Sequence, residues 1–86
     1  MRKDEWAKIV KVTQFTEWVA EPVDDAGDII DPQYVASERE ARAEVPGLFA
    51  QYPECVAVEI AKVVRHGSDA EGEIDREYTY VARIPR

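Results

Sequence analysis

Two stretches in the C-terminal third of the chain alternate apolar and polar residues, and this periodicity constrains the fold most strongly. Alternation with period two is typical of strands that bury one face. A glycine-containing segment, residues 67–72, separates the two stretches, so they are predicted to form adjacent strands. Residues 55–66 carry the first apolar set and residues 74–84 the second, which we expect to face the core: Val56, Val58, Ile60 and Val64, then Ile74, Tyr78, Tyr80, Ala82 and Ile84.

The N-terminal quarter also indicates a strand. Residues 7–20 are rich in β-branched and aromatic types, which favour extended structure. The alternation is imperfect, and a bulge between Val12 and Phe15 would reconcile its two halves. Pro22 is predicted to end this strand. A turn at residues 24–28 then leads to a short return strand, which begins at Ile29–Ile30 and stops at Asp31–Pro32.

The middle of the chain predicts one interrupted helix. Ser37 and Glu40 have the S-x-x-E spacing of a capping box, which satisfies free backbone amides at a helix start. Pro46 lacks an N–H donor and its ring disturbs the preceding turn, so we expect a helix to about Val45 and a second helical turn to Tyr52. An amphipathic stripe follows the same segment: Ala41, Val45, Leu48, Phe49 and Tyr52.

These elements predict a single α+β domain over residues 1–86, in the order β-β-α-β-β. The sheet is expected to be mainly antiparallel, with the Pro-kinked helix packed on one face. A chain of 86 residues has room for one hydrophobic core. If the helix spans the sheet, the loops after the first and third strands lie at opposite ends. If it is only a short crossing, they approach each other.

Composition excludes several function classes. Cys55 is the sole cysteine and His66 the sole histidine, whereas a zinc site needs three or four such ligands. Glycines are scattered rather than grouped in a phosphate-binding loop, and the two serines lack the surroundings of a catalytic nucleophile. We therefore expect no enzyme activity, no catalytic or metal site and no cofactor. The most apolar stretch is too short to span a bilayer and no signal peptide is apparent, so a cytoplasmic location and no membrane partner are expected.

Charge is the most informative functional feature. The formal net charge is −7, which disfavours direct binding to nucleic acid. Residues 17–38 contain seven acids and no lysine or arginine, and residues 69–77 contain five acids and one arginine. Nine acids from these segments are the predicted partner-binding residues: Asp24, Asp25, Asp28, Asp31, Asp69, Glu71, Glu73, Asp75 and Glu77.

These acids indicate a non-enzymatic module that docks on a basic host protein. Acids recur at every second position of residues 69–77, and an extended chain would space them about 6.5–7 Å apart. That spacing is close to every second phosphate of a nucleic-acid strand, about 3.4 Å per phosphate. By size and charge alone, the chain is similar to bacteriophage and mobile-element inhibitors of host defence enzymes. The alternative is a structural or accessory protein that forms a homodimer through its last strand.

Overall fold

A computed structural model describes residues 13–68 and 73–86 of the chain. It contains four strands and two short helices: β1 (Thr13–Val23), β2 (Gln33–Val35), α1 (Glu38–Ala43), α2 (Val45–Gln51), β3 (Ala57–Ser68) and β4 (Glu73–Pro85).

The strands form one antiparallel sheet in the order β2-β1-β3-β4. The helices pack on one face, where Ala20, Val58 and Ile60 are buried beneath Val45 and Leu48. The predicted fold class is therefore confirmed, including the β-β-α-β-β order, the antiparallel sheet and the bent helix on one face. We call the opposite side of the sheet the open face, because none of the described helices covers it.

The first strand continues through Pro22 instead of ending before it. Pro22 is buried and pairs in register with Val58 of β3. Its carbonyl accepts a hydrogen bond from the Ile30 amide at 2.8 Å on the side facing away from β3. Since the N and C=O of an extended residue point to the same side, the missing N–H does not interrupt the β1–β3 ladder. Pairing is continuous from Thr13 to Val23; Val12, where the predicted bulge would begin, lies outside the described residues.

The return strand lies later than predicted. Ile29 makes only an isolated bridge with Val23, and the strand proper begins at Gln33, directly after Pro32. Pro32 has no amide to donate, so regular pairing resumes only beyond it. The predicted position of this strand was therefore wrong by a few residues.

The helical segment has the predicted interruption. Ser37 Oγ accepts a hydrogen bond from the Glu40 amide at 3.1 Å, and Glu40 Oε2 accepts one from the Ala36 amide at 3.0 Å. The helix breaks at Glu44, and Pro46 occupies the first turn of α2, where a missing donor costs little. Within the described residues, neither helix is long and apolar enough to cross a membrane.

A β-bulge in β4 changes which residues face the helices. Ile60 pairs with Ala82 but the next residue, Ala61, pairs with Tyr80, so Val81 is the extra residue. Ala82 and Ile84 pack against the helix-side core, whereas Tyr78 packs on the open face. The sequence alternation had placed Tyr80 and Ala82 together on the core side. That prediction was wrong, because one inserted residue reverses the facing of everything beyond it.

Candidate functional site

The first acidic turn is held by its own hydrogen bonds. Asp24 Oδ1 accepts from the amides of Ala26 and Asp28, both at 2.9 Å. The Asp24 amide donates to the Asp28 carbonyl at 3.0 Å, and Gly27 takes a φ of 86° that favours glycine. Asp24 therefore organises the turn, while the exposed side chains of Asp25 and Asp28 are presented to solvent by a fixed backbone.

Asp31 also has a structural contact. Its Oδ2 accepts a hydrogen bond from the Tyr52 hydroxyl at 2.6 Å, which links the segment before β2 to the end of α2. This hydrogen bond raises the pKa of Tyr52 above its usual value, because it stabilises the protonated phenol. Of the four acids predicted in this region, Asp24 and Asp31 hold local structure and Asp25 and Asp28 are the ones displayed.

The second acidic segment is only partly described. Asp69 and Glu71 lie outside the described residues, and Glu73 is the first residue of β4. Asp75 and Glu77 pair with His66 and Val64 in unbroken register. They are exposed and share one face of the strand, as alternate residues must. His66 Nε2 lies 3.4 Å from Glu77 Oε2.

The first acidic turn and the acids of β4 lie at opposite ends of the long strand β3. Val23, which precedes the first turn, pairs with Ala57 at the start of β3. Ser68, at the other end, pairs with Glu73. A strand of 12 residues extends over roughly 36 Å. The described ends of the two loops therefore lie far apart, as in the first of the two arrangements left open by the sequence, and the described acids Asp25, Asp28, Asp75 and Glu77 form two surfaces rather than one.

The open face carries a polar cluster that sequence reasoning missed. Glu21 is only 3% exposed and accepts a hydrogen bond from the Tyr80 hydroxyl at 2.8 Å. Glu59 lies beside Glu21 in register, and Arg83 Nη1 reaches Glu59 Oε2 at 3.4 Å. Burial and the acceptor Glu21 both raise the pKa of Tyr80, burial having the larger effect.

Tyrosines from the two outer strands of the described sheet meet across this face. The hydroxyls of Tyr34 on β2 and Tyr78 on β4 are 2.9 Å apart, although β1 and β3 lie between those strands. Tyr78 packs over buried Val19, Ala61 and Val63, which explains how apolar residues are buried on a face without a described helix. The hydrogen bond with Tyr78, and then burial, raise the pKa of Tyr34 to about 12.

Two arginines occupy neighbouring positions on the open face, at the end away from the first acidic turn. Arg65 of β3 pairs in register with Arg76 of β4. Glu17 Oε1 lies 3.7 Å from Arg65 Nη1. These three residues and Tyr34 line an open depression of about 380 Å³, which is the positively charged part of the described surface of this face.

Side chains that could ligate a metal or act in acid–base chemistry are located throughout the described residues. In residues 13–68 and 73–86, no three His, Cys, Asp or Glu side chains converge in a way that would hold a metal ion. Cys55 is buried, and its thiol donates to the Ala57 carbonyl at 3.1 Å. Glu21 is a desolvated carboxylate beside a second one, the arrangement that acid–base chemistry requires, but Tyr80 and the sheet enclose it.

One signal in the sequence would have located Glu21. It shares strand parity with Val19 and Val23, so an uninterrupted strand buries all three together. Because the strand was predicted to end before Pro22, Val23 fell outside this pattern and Glu21 was grouped with the acids of the loop. The cross-strand partners of Glu21 and Arg65 had no comparable signal, because register depends on pairing between distant segments.

Comparison of the chain with protein-family models, with curated proteins and with solved structures finds no match.

Proposed function

We propose that this chain is a non-enzymatic protein-binding module that docks acidic surfaces on a basic partner. The observation that carries the proposal is the ordered acidic turn, in which Asp24 fixes the backbone and leaves Asp25 and Asp28 exposed. Binding costs free energy when side chains and loops must be ordered. A turn that is already closed presents its charges without most of that cost.

The exposed acids of β4 support a more specific version of the proposal. Asp75 and Glu77 project from one face of a regular strand, about 6.5–7 Å apart. This spacing approximates every second phosphate of a nucleic-acid strand. A surface of this kind would occupy the phosphate-binding groove of a nucleic-acid-binding host protein, and an inhibitor of a defence enzyme is the kind of molecule that would use it.

The test is a pull-down from host lysate with matched variants as bait. Asp25→Asn/Asp28→Asn removes two exposed charges from the acidic turn. Glu44→Gln/Glu54→Gln removes two exposed charges elsewhere and serves as the control. We expect a stoichiometric basic partner that is lost at high salt, because charge steering is screened. We expect the turn variant to retain several-fold less partner than the control variant.

Competition with duplex DNA tests the mimic version. A captured partner that binds nucleic acid should release the protein when DNA is added, and Asp75→Asn/Glu77→Gln should lower the amount of DNA needed. Capture that is insensitive to salt and equal for both pairs of variants would contradict acidic docking.

A second candidate is association of two copies through β4. This strand has 13 residues and lies at an edge of the described sheet, where unpaired backbone groups favour addition of another strand. Val81 is 45% exposed there. Light scattering at rising protein concentration should show a dimer if this candidate holds, and Val81→Lys should return it to a monomer, since charged side chains block edge pairing. A monomer at every concentration removes it.

A further inference from the structure

Two arginines occupy neighbouring positions at one end of the open face. Arg65 and Arg76 are directly opposed across the β3–β4 ladder. Like charges in this position destabilise a sheet unless negative groups compensate them. Such a pair is unusual in a protein with a net charge of −7. The negative groups around the two arginines therefore indicate what the site can bind.

The described residues compensate this pair only partly. Glu17 Oε1 is 3.7 Å from Arg65 Nη1, which is beyond the range of a good N–H···O hydrogen bond. Arg65 Nε is buried, and none of the described residues offers it an acceptor. Buried donors are normally satisfied, so the described residues leave the guanidinium of Arg65, whose side chain is 32% exposed, short of acceptors.

The space for such an acceptor is present. Arg65, Arg76, Glu17 and Tyr34 line an open depression of about 380 Å³, a volume in the range of small-ligand sites. Tyr34 lies close enough to Arg76 for the guanidinium to affect its ionisation, although hydrogen bonding and burial still raise the pKa of Tyr34 to about 12. The phenol is therefore protonated at neutral pH, and its hydroxyl is paired with that of Tyr78 at 2.9 Å.

We propose that this depression binds a carboxylate group through Arg65 and Arg76. Among the described lining residues, two arginines and one glutamate sum to a charge of +1, so one carboxylate neutralises them, whereas a phosphate dianion would leave an excess negative charge beside Glu17. The planar fork of an arginine matches the two oxygens of a carboxylate. The ligand is a free small carboxylic acid or the terminal carboxylate of a peptide, and the site is separate from the acidic turn.

Arginine side-chain NMR tests the proposal directly. The Nε–Hε signal of Arg65 is followed while sodium acetate or N-acetylglycylglycine is added, with sodium chloride at matched ionic strength and acetamide as controls. Both carboxylates should shift the signal saturably, and neither control should. Tighter binding of the dipeptide identifies a peptide terminus as the source, whereas equal binding identifies a free acid.

Variants distinguish the site from a general effect of ions. Arg76→Gln should weaken acetate binding by about tenfold or more, as expected for the loss of a charge-assisted hydrogen bond. Arg65→Lys should weaken binding of the dipeptide to a similar extent. Because this variant lacks the Arg65 signal, its binding is followed by the shifts of the Tyr34 signals. Arg83→Gln, on the same face near Glu59, is the matched control and should bind normally.

Three results would overturn the proposal: an Arg65 signal that responds equally to chloride, acetate binding that survives Arg76→Gln in a folded protein, or inorganic phosphate that binds tighter than either carboxylate. Circular dichroism of each variant shows whether it remains folded, and Arg76→Gln alters an exposed residue, so the test does not depend on replacing half-buried Arg65.

Discussion

Glu21 shows how a single buried charge is accommodated in this sheet. An ionised carboxylate is costly to bury unless it is hydrogen-bonded, and the Tyr80 hydroxyl supplies a donor at 2.8 Å. Tyr80 itself is 51% exposed, so its ring covers the buried acid from the solvent side. Because Glu59 lies beside Glu21, the contact of Glu59 with Arg83 also reduces the repulsion between the two acids.

Replacing the donor should reveal this dependence. Tyr80→Phe leaves Glu21 buried without the phenol, and we expect the free energy of unfolding to fall by about 1–3 kcal/mol. Tyr52→Phe removes the same kind of group from exposed Asp31, which water can solvate, so it should destabilise the protein clearly less than Tyr80→Phe does. Urea denaturation at neutral pH measures both. Equal losses of stability in the two variants would show that the burial of Glu21 does not determine the cost of removing its donor.

Alkaline pH provides a second test at the residue scale. The pKa of Tyr34 is raised from 10.0 to about 12, so the folded state keeps a proton that the unfolded chain loses. This contribution to stability is fully present below pH 10 and is lost as pH rises towards 12. The urea midpoint should therefore fall between pH 10 and about pH 12, and it should fall less in Tyr34→Phe. An identical fall in both proteins would contradict the assignment.

At the scale of elements, the bulge at Val81 decides which side chains of β4 enter the helix-side core. With the bulge, Ala82 and Ile84 face the helices while Arg83 lies beside Glu59 on the open face. Without it, the ladder would continue from Ala61–Tyr80 so that Arg83 lies opposite Val58. A guanidinium in that position would be desolvated in an apolar core.

Deleting the bulged residue tests this assignment. Without Val81, Tyr80 is followed directly by Ala82, so both residues keep their partners Ala61 and Ile60 in a regular ladder. We expect the free energy of unfolding to change by less than about 1 kcal/mol, because the two faces of β4 are unchanged. Ala82→Arg instead places a guanidinium against the helix-side core and should cost about 2–4 kcal/mol. Urea denaturation compares the two variants, and a deletion as damaging as Ala82→Arg would contradict this register.

The two interior prolines show how far local sequence rules reach. Pro46 interrupts the helix as predicted, because its effect acts on the turn to which it belongs. Pro22 was predicted to end a strand but lies inside one. The outcome there depends on which side of β1 the missing donor faces and on which strand is its neighbour, and neither is encoded locally.

For the whole molecule, the length of β3 separates the two acidic surfaces. Ala57 and His66 are the positions on β3 nearest to the first turn and to Asp75, and they lie roughly 30 Å apart along the strand. Charges at this distance are screened from each other at physiological ionic strength. A basic partner that contacts both surfaces would therefore gain two independent contributions.

This independence can be measured with the partner identified by pull-down. Asp25→Asn/Asp28→Asn and Asp75→Asn/Glu77→Gln should each weaken binding, and the quadruple variant should lose the sum of the two within about 0.5 kcal/mol. Isothermal titration calorimetry gives the dissociation constants. If the quadruple variant binds as tightly as the weaker-binding of the two double variants, the partner contacts only one surface.

The sequence by itself determined the α+β class, the order of elements, the helix cap at Ser37 and the interruption at Pro46, because each follows from periodicity or from contacts within a few residues. It also indicated where the acids are concentrated. Only the tertiary structure decided that the first acidic turn and the acids of β4 are separated. It also decided that Tyr80 and Ala82 face opposite sides of the sheet. The open face that Glu21 and Tyr80 share with the pair Arg65–Arg76 was likewise visible only in the structure. Those features depend on strand register, in which a shift of one residue exchanges the two faces, and register is set by packing between segments far apart in the chain.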